Sequence, residues 1–330
     1  MTVLVTGAGG FLGGRVVRRL VADGTPVRGL DVAYPTPLPD AVDCRTGSVL
    51  DRDAVTEAMQ GVETIIHAAA IAGLWAPGRF DHQRVNAAGT CRVLGAARKV
   101  GARIVHVSSY VTLIGRAHDE NRVLDETVEI PPTQLLGQYP LSKRQAELFV
   151  EAGAANGIDA VMVMPAAPIG AGDVSLTPPA RMMVDLAMGK VPALLDCVLN
   201  LVDAEAVVDA ILAARTKGVA GERYLLSGHD IAMRDLAGMI AERTGVPAPK
   251  RTVPTGVALA AARGEAVLAR LTRRPPTAPL TGVRIAARRC KFDSAKARET
   301  LGFAPRSLED CLDEAFKDFR VRGLIAQNPV

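Results

Sequence analysis

The sequence predicts a doubly wound α/β protein: a parallel β-sheet with helices on both faces, and a smaller α/β lobe built from the C-terminal part of the chain. Three observations predict it. Short, nearly all-apolar runs alternate with amphipathic stretches over the first two-thirds of the chain, and continuous apolar runs are what strands buried on both faces require. A glycine-rich turn follows the first of these runs. The alternation then fades after Met164, where Pro165, Pro168, Pro178, Pro179 and Pro192 break the pattern.

In chain order, strands are expected at Val3–Thr6, Val27–Asp31, Thr64–His67, Arg103–Ser108 and Ala160–Met164, each followed by glycine or small polar residues. Between them the helical candidates are Phe11–Asp23, Asp51–Met59, Phe80–Val100 and Tyr139–Asn156. Such strand–helix alternation with short turns belongs to open α/β sheets. Further on, the apolar stretch Val198–Val202 leads into a helix at Asp203–Arg215, and more helices are expected at Met233–Thr244, Gly256–Leu271 and Leu308–Phe319. This divides the chain into a sheet domain, residues 1–165 with a returning excursion at about 199–217, and a lobe of residues 166–198 and 218–330. In open α/β sheets ligands bind beyond the carboxyl ends of the strands, where such a lobe would close over a substrate.

Composition narrows the function. The 330 residues are 48% hydrophobic and 22% charged, with a net charge of +4. That is neither disordered nor a polybasic nucleic-acid binder, and no nucleic-acid partner is expected. No apolar stretch is long enough to span a bilayer. The five cysteines are too scattered for a metal or redox motif, as are the histidines, so no metal is expected and a cytoplasmic location is. The segment from Arg251 to Arg298 holds eleven basic and two acidic residues, either a solvated basic face or an attractor for an anionic substrate or membrane surface.

The turn Thr6-Gly7-Ala8-Gly9-Gly10-Phe11-Leu12-Gly13 joins the first strand to the first helix. Gly7 permits a tight turn, Gly10 lets the backbone approach a pyrophosphate at the helix N-terminus, and Gly13 allows the helix to pack close to the sheet. Asp31 ends the second strand, where a carboxylate accepts both ribose hydroxyls of NAD and repels the 2′-phosphate of NADP. The cofactor expected is therefore NAD rather than NADP.

Tyr139-Pro140-Leu141-Ser142-Lys143 sets a phenol and an ammonium one helical turn apart. A phenol of pKa ~10 is a poor base at neutral pH. A cation ~5 Å away at an effective dielectric of ~20 contributes about 3 kcal/mol, or about two pKa units, and so would bring proton exchange with a substrate oxygen within reach. Upstream, Val107-Ser108-Ser109-Tyr110 ends a strand in hydroxyls, and Ser109 is placed to hold a substrate oxygen beside Tyr139.

These segments together resemble the extended short-chain dehydrogenase/reductase family, within the NAD-dependent epimerase/dehydratase superfamily. The likeness covers nearly the whole chain. It adds Gly47-Ser48-Val49-Leu50-Asp51, Ile66-His67-Ala68-Ala69-Ala70, Asn86-Ala87-Ala88-Gly89-Thr90 and the ending Phe292–Ala297 with Leu301–Pro305. The nearest branch is the dihydroflavonol-reductase-like one, which includes hopanoid-associated sugar epimerases, on the segments His67–Trp75, Pro168–Gly170 and Leu199–Val202. The resemblance implies a Rossmann-type cofactor domain and Ser109, Tyr139 and Lys143 as catalytic residues. It further implies cofactor contacts at Gly7, Gly10, Phe11, Leu12, Gly13, Asp31, Ser48, Val49, Ala68, Ala69, Ala70, Asn86, Tyr139, Lys143, Pro165 and Ala166.

Two departures bear on function. Ala167 stands where many nucleotide-sugar members carry asparagine, which weighs against sugar epimerisation. Tyr110 follows the serine pair where small residues are usual, and an alignment on Gly115 would put Tyr110 in the serine position; Ser109 is the reading adopted. The function implied is NAD(P)-dependent interconversion of a carbonyl and a secondary alcohol on a small molecule. The alternatives are a nucleotide-sugar epimerase and a non-catalytic NAD-binding protein. A homodimer through the Phe80–Val100 and Tyr139–Asn156 helices would fit the family.

Overall fold

The computed structural model describes residues 2–78, 80–117 and 122–327. Its main sheet has seven strands, all parallel, in the spatial order Arg223–Leu226, Ala160–Pro165, Arg103–Val107, Val62–His67, Thr2–Thr6, Val27–Asp31, Asp43–Thr46. The order reverses at the first strand, which pairs with the second on one side and with Val62–His67 on the other. That reversal opens a crevice at the carboxyl ends of both, the place where α/β sheets bind ligands.

Helices cover both faces because each strand turns apolar residues to both. On one face Val3, Val5, Val105 and Val161 pack with Val16, Val17 and Leu20 of the first helix and with Val207, Val208 and Ile211. On the other, Leu4, Ile65, Ile104 and Met162 pack with Val55, Val93, Leu94 and Val150. A three-stranded sheet forms the second lobe, with Val198–Asp203 between Ala167–Ile169 (parallel) and His229–Ala232 (antiparallel). Its core joins the helices Pro178–Ala187, Met233–Thr244 and Leu308–Val321.

Three features depart from the sequence reading. The strand Asp43–Thr46 was not expected: it is an edge strand with mostly exposed residues, and so carries no apolar run. Pro178 and Pro179 start a helix rather than break one, since proline suits the first helical turn, where its missing N–H would be unpaired anyway. The excursion expected at about 199–217 is also drawn differently. The strand Val198–Asp203 belongs to the small sheet, while the helix Ala204–Lys217 and the edge strand Arg223–Leu226 return to the large one. Asp203 marks the crossing: it caps that helix through Glu205 N–H and takes both arms of the Arg306 guanidinium at 2.8 Å.

Among the described residues no helix is long and apolar enough to cross a membrane.

Candidate active site

The glycine turn is built as its spacing demands. Gly7 has φ +75, and a Cβ there would lie 2.6 Å from Ala69 N, so the turn and the Ala68–Ala70 segment touch. A Cβ on Gly13 would lie 2.0 Å from Gly7 O, which only glycine tolerates. Gly10 caps the helix Phe11–Ala22 without any side chain, leaving the helix N-terminus open to an anion. Phe11 lies under the Arg15 guanidinium, 5.1 Å from its ring centre, and Leu12 packs against the core. Arg15 also ion-pairs with Glu205 and donates to Ala171 O, joining the helix to the second lobe.

Asp31 reaches back to this turn. Its carboxylate accepts Gly9 N–H at 2.9 Å and Val32 N–H at 2.7 Å, one on each oxygen, so each oxygen keeps acceptor capacity for a hydroxyl. Ser48 caps its own turn through Leu50 N–H at 3.1 Å, and Val49 is buried against Gly89. Pro165 ends a central strand, and the next residue, Ala166, donates its N–H to Leu226 O at 3.0 Å.

A buried polar chain runs from the turn toward the tyrosine. Thr90 Oγ1 donates its one proton to Asn86 O, at 2.5 Å, so at His67 Nε2, 2.9 Å away, it accepts. The neutral His67 ring must then accept at Nδ1 from Thr6 Oγ1, at 2.7 Å. Burial holds His67 neutral, with its pKa pulled down to about 3. The Asn86 amide accepts Ile71 N–H at 2.8 Å and donates to Ile71 O at 3.2 Å and to Ser142 Oγ at 2.9 Å. Ser142 Oγ in turn donates to Tyr139 O at 2.8 Å. Asn86, expected among the cofactor contacts, therefore has both amide protons engaged by the protein. It ties the segment after the fourth strand to the helix that bears the tyrosine.

That helix, Gln138–Ala155, buries Tyr139, Lys143 and Glu147 on one face. Burial pushes the Tyr139 phenol above its ordinary pKa, against the pull of the adjacent Ser109 side chain. Lys143 Nζ donates to Val107 O at 2.7 Å, and burial brings its pKa down to about 8. The expected lowering of the phenol pKa by Lys143 does not emerge in the protein alone: Lys143 is turned to Val107 O, burial raises the phenol, and Ser109 is the group that opposes it. Glu147, which the sequence reading did not single out, accepts from Ser108 Oγ and from Thr112 Oγ1, the latter at 2.8 Å, and pairs with Arg144 at 3.2 Å. Ser108 is thereby turned away from Tyr139, while Ser109 stands beside it. Tyr110 packs edge-on against Phe292, with ring centres 5.1 Å apart.

Two further groups close on the start of the tyrosine-bearing helix. His82, buried and with its pKa lowered by that burial, donates Nε2–H to Gly73 O at 2.7 Å, its ring centre 5.9 Å from that of Tyr139. The helix Leu280–Ala286 closes from the other lobe. Thr281 lies so near Gly137 that a Cβ there would come within 2.3 Å, and Gly282 similarly meets Leu74. Trp75, in that same loop, is half-buried. No local sequence signal marks His82 or Thr281, because only the tertiary fold brings them here.

An open helix N-terminus on a glycine turn, a carboxylate closing the second strand against that turn, and Ser109, Tyr139 and Lys143 at the carboxyl end of the sheet are the features of a nucleotide-cofactor oxidoreductase of the extended short-chain dehydrogenase/reductase type. The chain belongs to the NAD dependent epimerase/dehydratase family, which it matches over residues 3–227. It is 33% identical to a Synechocystis sp. protein named as a dihydroflavonol 4-reductase, over 97% of this chain and 95% of that one. It is 32% identical to a Methylococcus capsulatus protein named sterol demethylase protein B, over 98% of this chain and 100% of the other. Among solved structures, gox2253 is similar at a TM-score of 0.83 and 31% identity, covering 98% of this chain and 99% of that one. The chain is accordingly an NAD(P)-dependent enzyme, and NAD is the cofactor its family carries.

Proposed function

We propose that this enzyme interconverts a carbonyl and a secondary alcohol on a small-molecule substrate, with residues 1–165 and 204–226 holding NAD and the remaining lobe holding the substrate. The observation that carries the reading is that Ser109 adjoins the Tyr139 side chain while Lys143, one helical turn on, is anchored on Val107 O at the carboxyl end of its strand.

The residues present fit NAD. Gly7 and Gly13 leave room only for backbone, Gly10 leaves the helix N–H groups open, and Asp31 retains acceptors for ribose hydroxyls. When bound, NAD accepts or returns the hydride. Tyr139 exchanges the proton with the substrate oxygen at Oη. Its raised pKa keeps it protonated at neutral pH, which suits donation to a carbonyl, the reducing direction. Ser109 orients that oxygen and stabilises its developing charge. Lys143, anchored on Val107 O, supplies a cation beside the phenol when NAD and substrate are in place. Asp31 favours NAD over NADP by repelling a 2′-phosphate.

Ala167 stands in the small sheet where many nucleotide-sugar members carry an amide, which supports redox chemistry over sugar epimerisation. Five unpaired cysteines support a cytoplasmic location. Leu148 and Phe149, 40% and 42% exposed on the tyrosine-bearing helix, support a homodimer through that face.

The test is turnover of a panel of ketones and secondary alcohols, with and without Tyr139→Phe. Loss of all but a few per cent of the rate is expected, and a variant that keeps more than about a tenth overturns the role of Tyr139. Interconversion of nucleotide sugars with no net change in NADH would favour the epimerase instead. NAD binding without turnover of any substrate would favour a non-catalytic protein.

A further inference from the structure

The helix Thr255–Thr272 has two apolar faces and only one covering. Ala262 and Ala269 are buried, and the helix packs on Leu280–Ala286. On the outer side Val257, Val267, Leu268 and Leu271 are between 59% and 78% exposed. With Ala260, Ala261 and Gly264 they fall at the three- and four-residue spacing of a single helical stripe. Around this stripe stand Lys250, Arg251, Arg263, Arg270, Arg273 and Arg274, all exposed. Among the described residues none of these six forms an ion pair with a carboxylate. The only acid of the helix, Glu265, is engaged by Ala278 N–H at 3.1 Å. Arg284, on the neighbouring helix, has Arg116 and Arg263 as charged neighbours, and their like charge adds to burial in lowering its pKa. The face thus gathers cations without compensation around an uncovered apolar strip.

We propose that this face docks the enzyme peripherally on an anionic lipid bilayer, with Val257, Val267, Leu268 and Leu271 entering the acyl boundary and the flanking arginines meeting headgroup phosphates. The charge sign selects the partner. A second copy joined by a two-fold axis would bring the same uncompensated arginines against one another. A nucleic acid would leave the apolar strip unserved, and the helix holds no aromatic side chain for stacking. A bilayer surface offers both components, anionic headgroups and an apolar layer just beneath. The helix lies on the surface rather than spanning it, as its charges at Arg263, Glu265 and Arg270 require. Docking here would set the bilayer beside Leu280–Ala286, the helix that closes against Gly137 and Leu74. The inference does not depend on the reaction proposed above.

Flotation of the purified full chain with vesicles tests it. Binding is expected to phosphatidylcholine vesicles holding about a third phosphatidylglycerol, but not to phosphatidylcholine alone, and to weaken sharply at ~0.5 M NaCl. Leu271→Glu with Val267→Glu should reduce partitioning at least about tenfold, and Arg273→Glu with Arg274→Glu about tenfold. All four positions are exposed, so melting temperatures should stay near that of the wild type. The proposal fails if the wild type ignores anionic vesicles, or if the glutamate pair at 267 and 271 leaves binding unchanged. It also fails if that pair changes the oligomeric state in solution, which would make the strip a contact between copies.

Discussion

The amide of Asn86 donates to the Ser142 hydroxyl at 2.9 Å, and that hydroxyl donates to the carbonyl of Tyr139. Through this one buried contact the segment that follows the fourth strand fixes the start of the tyrosine-bearing helix. Replacing Asn86 by Leu would strand Ile71 N–H, Ile71 O and the Ser142 hydroxyl. We predict a loss of about 2–4 kcal/mol in stability and a fall in kcat of about tenfold or more, with KM for NAD changed less. Urea unfolding and steady-state kinetics check it; unchanged kcat in a folded variant would refute the positioning role.

Activity should depend on pH through the role proposed for Lys143. Its pKa is down at about 8 in the folded protein, so its cation is lost as pH rises through that value. We predict a kcat/KM profile that declines above about pH 8. Stability should move the other way. Between about 8 and the ordinary lysine value near ~10.5 the unfolded chain holds a proton that the folded one lacks, so unfolding free energy rises with pH in that window. Lys143→Met should abolish the rise. An unaltered profile in that variant would contradict the assignment.

Glu147 raises the pKa of both Lys143 and Tyr139 by its charge. Glu147→Gln keeps the shape and removes the charge. The alkaline limb of the kcat/KM profile should shift to lower pH while KM for substrate stays within about twofold. Glu147→Leu is a different experiment, because it leaves the buried Ser108 hydroxyl without its acceptor and Arg144 with Glu151 alone; a destabilisation of about 1–3 kcal/mol is expected. A limb that stays in place for Glu147→Gln would show that the carboxylate only supports the fold.

Acid should unfold the protein through its two central histidines. His67 and His106 face each other across neighbouring strands, ring centres 5.3 Å apart, and burial lowers the pKa of both. As pH falls below ~6.5 the unfolded chain takes up protons that the folded one refuses, so each histidine removes about 1.4 kcal/mol per pH unit. For His67 this continues until about pH 3. Urea midpoints measured from pH 7 to pH 4 should fall accordingly. His106→Phe, which removes two ring nitrogens that lack any partner, should flatten the slope.

Asp31 should govern cofactor choice. Asp31→Ser removes the repulsion of a 2′-phosphate and half the anchoring of Gly9 and Val32. We predict KM for NAD raised about tenfold or more and measurable use of NADP. Strict NAD dependence in that variant would place the discrimination elsewhere.

The sheet and the glycine turn are legible in the sequence because local rules determine them. A strand buried on both faces must be apolar along its length, and a glycine turn must lack Cβ atoms wherever backbone crosses backbone. Tyr139 and Lys143 are legible for the same reason, since helical spacing alone places them on one face. Asp43–Thr46 is not, because an edge strand with exposed side chains leaves no apolar signature. Nor is Glu147, whose meaning comes from Ser108 and Thr112, distant in sequence and adjacent only once the strand end folds over the helix. His82 reaches Tyr139, and Thr281 reaches Gly137, by tertiary packing, and nothing near either in the chain announces it. The phenol pKa is not legible from spacing, which reports a cation one turn away but not the loss of water around the phenol.

The run of hydrogen bonds from Thr6 through His67 and Thr90 to Asn86 has only one possible polarity. Thr90 has a single proton and a carbonyl to receive it, so every proton upstream must point the same way. Reversing any one member would require reversing them all, or breaking the line. The link therefore behaves as a ratchet pin rather than a hinge: the strand end that carries the glycine turn and the tyrosine helix are held at one setting, and a change that disorders one end is felt at the other.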